Sequence, residues 1–136
     1  MVTKVEQTKK IIAEWIHEVD PMAEVYLFGS RARGDYKKDS DWDLLILTNY
    51  PVTLKDEQRF RHHLIPLELE TEEAFSIFVY EKNDWETRHT VTPFYQNVTR
   101  EVIQIWLTGD KKEIIMIFLT YQKAKFYLFW NQLKSL

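Results

Sequence analysis

The sequence predicts an α/β fold, a small mixed β-sheet flanked by helices. Three observations carry that prediction. Segments with apolar residues at helical spacing alternate with short apolar runs of strand length. The run Leu44-Leu45-Ile46-Leu47 is apolar on both faces, as a central strand of a covered sheet must be. The length, 136 residues, suits one core, since a chain of this size buries roughly 68% of the surface it exposes when unfolded.

Each element follows in order. Val5 to Val19 sets Val5, Ile11, Ile12, Trp15, Ile16 and Val19 on one helical face. Pro21 stops that helix, because proline disfavours helix in the residue before it. Glu24 to Phe28 reads as a short buried strand, and Gly29 to Ser40 as a loop with room for one helical turn. Asp41 to Leu47 reads as the next strand, broken by Asn49-Tyr50-Pro51. Thr53 to Leu64 reads as a helix on the sheet, with Thr53 as N-cap and Asp56 and Glu57 in the favourable first turn. Pro66 ends this helix or kinks it before Leu67 to Glu70. Ala74 to Tyr80 reads as a third strand and Glu81 to Thr92 as a polar loop around Trp85. Phe94 to Leu107 reads as a helix with Val98, Val102, Ile105 and Trp106 on one side, terminated by Thr108-Gly109-Asp110. Residues 1–110 then form the domain. Residues 111–136 form a tail, expected to be helical and to pack on the domain or serve association, although its β-branched and aromatic residues also allow a strand.

Composition narrows the chemistry. The formal charge of −3 gives no global attraction to nucleic acid, so a polyanion site must be local. Nucleic acid is not expected as a partner unless it is tRNA-like or already held by a protein. The chain has no cysteine, which excludes disulfides, thiolate zinc sites and a cysteine nucleophile. That suits a reducing compartment, and a cytoplasmic location is expected. Neither apolar run of the tail, Ile114 to Leu119 or Phe126 to Trp130, reaches the ~20 residues that span a bilayer. No secretory h-region is visible in the first ten residues.

One stretch carries the chemistry. Gly29-Ser30 ends the first strand, ten residues intervene, and Asp41-Trp42-Asp43 opens the second. Side chains two apart on a strand share a face, so Asp41 and Asp43 point the same way. Two adjacent carboxylates repel unless a cation lies between them. Magnesium favours such hard oxygen ligands and keeps phosphate oxygens and waters in its shell. Gly29 lets a backbone approach a phosphate, and Ser30 adds a hydroxyl and an N–H. Arg31, Arg33, Lys37 and Lys38 supply local positive charge, and Arg33 is assigned to the nucleotide. Three rival motifs do not fit the residues. A calcium loop starting at Asp39 would need glycine where Leu44 stands and glutamate where Tyr50 stands. A P-loop would need Gly-Lys-Ser/Thr after the turn. A glycosyltransferase Asp-x-Asp would leave the Gly-Ser turn unexplained.

In these residues the stretch resembles the DNA polymerase beta-like nucleotidyltransferase superfamily, in its small stand-alone branch, the minimal nucleotidyltransferases. The shared signature is Gly29-Ser30, Ala32-Arg33-Gly34 and Ser40-Asp41-Trp42-Asp43-Leu44, a close match over about residues 25–47. The resemblance implies a nucleotidyltransferase fold. It also implies phosphate contacts from Gly29 and Ser30, and two Mg2+ ions held by Asp41 and Asp43, which are then the catalytic residues. The implied activity is transfer of a nucleoside monophosphate, AMP from ATP, to a hydroxyl. Members of this branch often pair with a HEPN toxin, so a HEPN-type protein is an expected partner and acceptor; a homo-oligomer is a further possibility. The family's third carboxylate has no counterpart inside Phe75 to Tyr80, where Ser76 takes its slot and Glu70, Glu72, Glu73 and Glu81 stand at the edges. That departure keeps open a second reading, a non-catalytic nucleotide-binding antitoxin acting by occlusion. Transfer to a small molecule such as an aminoglycoside ranks third. His17, His62, His63 and His89 are too scattered for a metal site, and Trp15, Trp42 and Trp106 read as core.

Overall fold

The strand that carries Asp43, with Asp41 just before it, is one of the two inner strands of the sheet. In the computed structural model, which describes residues 3–105 and 131–135, the chain runs α1 (Lys4–Val19), β1 (Glu24–Phe28), α2 (Ser30–Arg33), β2 (Trp42–Thr48), α3 (Leu54–Thr71), β3 (Phe75–Glu81), α4 (Lys82–Thr87), α5 (Pro93–Glu101) and β4 (Ile103–Ile105). The strands form one sheet in the order β3-β2-β1-β4. β1 pairs antiparallel with β2 and with β4, while β2 and β3 are parallel. The sheet is therefore mixed, and β2 is paired on both sides. The chain divides into two compact units, Met1–Trp106 and Leu107–Leu136. In the second, residues 131–134 are helical. The expectations for residues 106–130, the terminator Thr108-Gly109-Asp110 included, lie outside the described residues.

Register assigns each side chain to a face. Val25, Leu27, Trp42, Leu44, Ile46, Phe75, Ile77 and Val79 share one face, where Ile12, Ala13 and Ile16 of α1 and Phe60, Leu64 and Leu67 of α3 are also buried. The opposite face presents Tyr26, Phe28, Asp43, Leu45, Leu47, Ser76, Phe78 and Tyr80. Trp85 of α4 and Val98 of α5 join Phe28, Leu45 and Leu47 there in a second apolar cluster. Leu44 and Ile46 are fully buried and Leu45 nearly so, which explains why this run is apolar on both faces.

Three expectations are corrected, and at Pro66 one of two alternatives is decided. Residues 82–87 are helix, not loop, because Trp85 buries its indole against Tyr80, Phe94 and Tyr95. The helix from Pro93 stops at Glu101, and Ile103 to Ile105 pairs with β1 instead. The edge of β1 and the β-branched pair Ile103 and Ile105 outweigh a helical spacing that fitted equally well. α3 runs through Pro66 to Thr71, because Leu64 and Leu67 on either side of the proline are buried and hold the last turns in place. β2 starts at Trp42, whose N–H donates to the Ala74 carbonyl (2.8 Å), so Asp41 lies just before the strand.

Candidate active site

The site is built at one end of the sheet by the turn after β1 and the start of β2. Gly29 sits at φ +72°, ψ −159°, a conformation open to glycine almost alone. A second constraint acts on the same atom: a Cβ added to Gly29 would run into the Asp43 carboxylate. Phe28, the residue before it, is the direct cross-strand partner of Asp43. The turn and the acid are thus in contact, not merely near in sequence. Ser30 follows as the first residue of α2, and the Ala32 and Arg33 N–H groups donate back to the Gly29 carbonyl at 3.1 and 3.0 Å. Gly34 ends this short helix at φ +91°.

Asp41 and Asp43 converge on Ser76. Ser76 is the register partner of Asp43 across the parallel pair, and its hydroxyl donates to Oδ2 of Asp41 (3.2 Å). Burial pushes the Asp43 carboxyl above its ordinary range, and the neighbouring Asp41 charge pushes it further. A divalent cation beside two such carboxylates would favour their charged forms. The donor set, two hard oxygen ligands beside a glycine cradle, fits a divalent ion that takes its remaining ligands from phosphate and water. Among the described residues no group of three or more His, Cys, Asp or Glu could hold a metal by itself. The edge acids do not make up the number. Glu73 is bound to Arg31 and Trp42, Glu81 sits at the opposite end of β3 beside Thr48, and Glu72 is the exposed C-cap of α3.

The basic residues divide sharply. Arg31 is turned inward, contrary to its expected role as free positive charge. Its guanidinium lies over the Tyr36 and Trp42 rings, 4.4 and 4.8 Å from their centroids. It donates to the Ser40 carbonyl (3.0 Å) and to Glu73 (3.2 Å), which also accepts from the Trp42 indole N–H (3.2 Å). This buried network clamps the loop that delivers Asp41, and sequence reasoning missed it because its partners lie far apart in the chain. Arg33 is exposed and donates to Asp35 (3.2 Å) and Glu101 (2.9 Å). Both carboxylates raise its already high pKa. Arg88, His89, Thr92 and Tyr95 are engaged within α4, α5 and the turn between them, with Arg88 paired to Asp84 (3.1 Å). His89 meets Asp84 at 3.1 Å, Thr92 caps α5 and Tyr95 packs on Trp85.

Comparison with known proteins agrees with this geometry. A model of the nucleotidyltransferase domain matches residues 8–107. Over 63 residues the chain is 40% identical to a Methanocaldococcus jannaschii protein provisionally named a protein adenylyltransferase. That match spans 46% of this chain and 64% of the relative, just under two thirds of its length. A crystal structure of a toxin–antitoxin with AMP-PNP shares the fold at TM-score 0.55 and 18% identity, covering 90% of this chain and 96% of the other. So does a complex of a tri-AMPylated Shewanella oneidensis HEPN toxin with its MNT antitoxin, at TM-score 0.52 and 16% identity, covering 93% and 97%. A structure provisionally named a minimal nucleotidyltransferase matches at TM-score 0.51 and 25% identity, covering 74% and 95%. Among the described residues no helix is long and apolar enough to cross a membrane. A domain model spanning most of the chain, and a glycine turn seated against the first residues of the central strand, lead to one assignment: this chain belongs to the nucleotidyltransferase domain family.

Proposed function

We propose that this chain transfers AMP from ATP to a hydroxyl on a protein acceptor, releasing pyrophosphate. The observation that carries the reading is the contact between the Gly29 turn and the Asp43 carboxylate, with Asp41 beside it. Gly29 and Ser30 seat the triphosphate, Arg33 adds charge at its edge, and Asp41 and Asp43 hold the metal. Bound Mg2+ would supply positive charge to the reacting phosphate and lower the pKa of the attacking hydroxyl. The protein's own part is to hold that charge in place: the Arg31 clamp fixes Asp41 and the β1–β2 pairing fixes Asp43. Preorganised charge of this kind is the larger part of catalysis in phosphoryl transfer. Arg33 would exchange its present carboxylate partners for phosphate oxygens. Similarity to antitoxins solved with HEPN toxins supports a HEPN-type protein as the acceptor.

A second reading is favoured by one specific observation. Ser76, neutral and already donating to Asp41, stands where a base would be expected. Without a carboxylate there the acceptor proton has no strong local base, and a module that binds nucleotide and blocks its partner by contact would need none. Incubation with α-labelled ATP, Mg2+ and the product of a neighbouring gene separates the two. Label on the partner supports transfer, and a stable unlabelled complex supports the binder. For either reading, the double variant Asp41→Asn/Asp43→Asn should lose Mg2+-dependent ATP binding in calorimetry while keeping its circular dichroism. Unchanged affinity would remove the metal site.

A further inference from the structure

An aromatic side chain stays partly open to solvent on the sheet face that carries Asp43. Phe78 lies mid-strand in β3, yet it is 36% exposed, the one position that the burial pattern of β3 leaves open. Register puts it on the same face as Asp43 and Ser76, two residues beyond Ser76 and opposite Leu45. It is not isolated. The Phe28 and Phe94 rings lie 5.7 and 5.1 Å from it and 5.9 Å from each other, centroid to centroid. Phe28 is buried and Phe94 half-buried, so two less exposed rings pack against the third. The result is one flat ring held by two tilted neighbours, one strand across and two residues along from Asp43, a diagonal of roughly 8 Å by standard sheet spacings.

We infer that Phe78, braced by Phe28 and Phe94, is the shelf on which the base of the bound nucleotide stacks. The inference rests on the nucleotide site proposed above and adds the part of the ligand which that site leaves unassigned. A phosphate held beside Gly29 and the two aspartates leaves its ribose free to cross one register row, and the base then reaches Phe78. A stacked ring covers apolar surface that is otherwise open to water, at little entropic cost because the three rings already pack on each other. Phenylalanine carries no hydrogen-bonding group, so the shelf reads flatness and not base identity. ATP and GTP should therefore both use it.

The test compares ligands with and without a base. Mg2+-ATP and Mg2+-tripolyphosphate are titrated by calorimetry into the wild-type chain, Phe78→Ala, Phe78→Leu and Phe78→Trp. Loss of one base–aromatic stack corresponds to roughly 5- to 150-fold in affinity. Phe78→Ala and Phe78→Leu should lose ATP affinity by that factor and keep tripolyphosphate affinity, while Phe78→Trp should keep both. Phe78→Leu preserves the apolar contact with Phe28 and Phe94, so it carries the test if the alanine variant folds poorly. Wild-type ATP affinity in Phe78→Leu overturns the shelf alone and leaves the phosphate and metal site intact. Equal losses for ATP and tripolyphosphate also overturn it. Intact ATP binding with reduced transfer to the acceptor would assign the ring to the acceptor instead, and overturns it too. A wild-type chain that binds neither ligand refutes the shelf together with the nucleotide site.

Discussion

A single hydrogen atom at position 29 connects backbone geometry to site chemistry. Gly29 needs its positive φ, and it needs to lack a Cβ, because the Asp43 carboxylate fills that space. Gly29→Ala should cost roughly 1–3 kcal/mol of stability from backbone strain alone. It should also displace Asp43, so Mg2+-dependent ATP affinity falls further than the unfolding midpoint explains. Arg31 is the other sensitive residue. Its side chain and that of Glu73 are 6% and 13% exposed, and it serves two rings and several acceptors at once. Removing one partner of a buried pair costs about 3–5 kcal/mol, which is the expected loss for Arg31→Ala in urea unfolding. Arg31→Lys keeps the charge but not the fork or the stacking surface, so it should recover only part of that stability. The Gly-Ser turn and both aspartates were legible as residues, because their spacing is a local property of the chain. Arg31 was not: in sequence it is one of several cations after a turn, and its inward orientation depends on Glu73 and Trp42.

Element boundaries were legible wherever a cap wrote them locally. Thr53 caps α3 in a reciprocal box, its hydroxyl accepting from the Asp56 N–H (3.3 Å) while Asp56 accepts from the Thr53 N–H (3.0 Å). Thr53→Ala should destabilise the fold by about 1 kcal/mol in denaturant titration. The Thr53 backbone N–H, then its hydroxyl, lower the Asp56 pKa below the ordinary aspartate value. A depressed carboxyl contributes stability above its unfolded pKa and loses it as pH falls through the folded one. The difference between wild type and Thr53→Ala should therefore be full at neutral pH and shrink below about pH 4. A pH-independent difference would remove the charged acceptor from the account. Elements defined by tertiary partners were not legible. α4 exists because a sheet face needed Trp85, and β4 because β1 had an edge to pair. Helical spacing for residues 98–106 was a real pattern with a stronger competitor.

The molecule as a whole hangs on β2, which has a helix layer on both faces and a strand on each side. Ile46 is fully buried at its middle. Ile46→Ala should cost about 2–5 kcal/mol, read as a lower urea midpoint at unchanged slope. The sequence foretold this centrality from a four-residue run apolar on both sides. It could not foretell strand order, since pairing partners are set by which helices cover which face. The placement of β3 at the rim of the sheet has a further consequence. Phe75 to Tyr80 carries no charge and no proline and is rich in β-formers, a profile prone to recruiting foreign strands. Arg61 reaches from α3 to donate to the Ile77 carbonyl (3.4 Å), so one docking point on the strand that is outermost among the described residues is already taken. Colloidal behaviour in concentrated solution would then depend on a guanidinium far from the chemistry, acting as a guard against fibre growth.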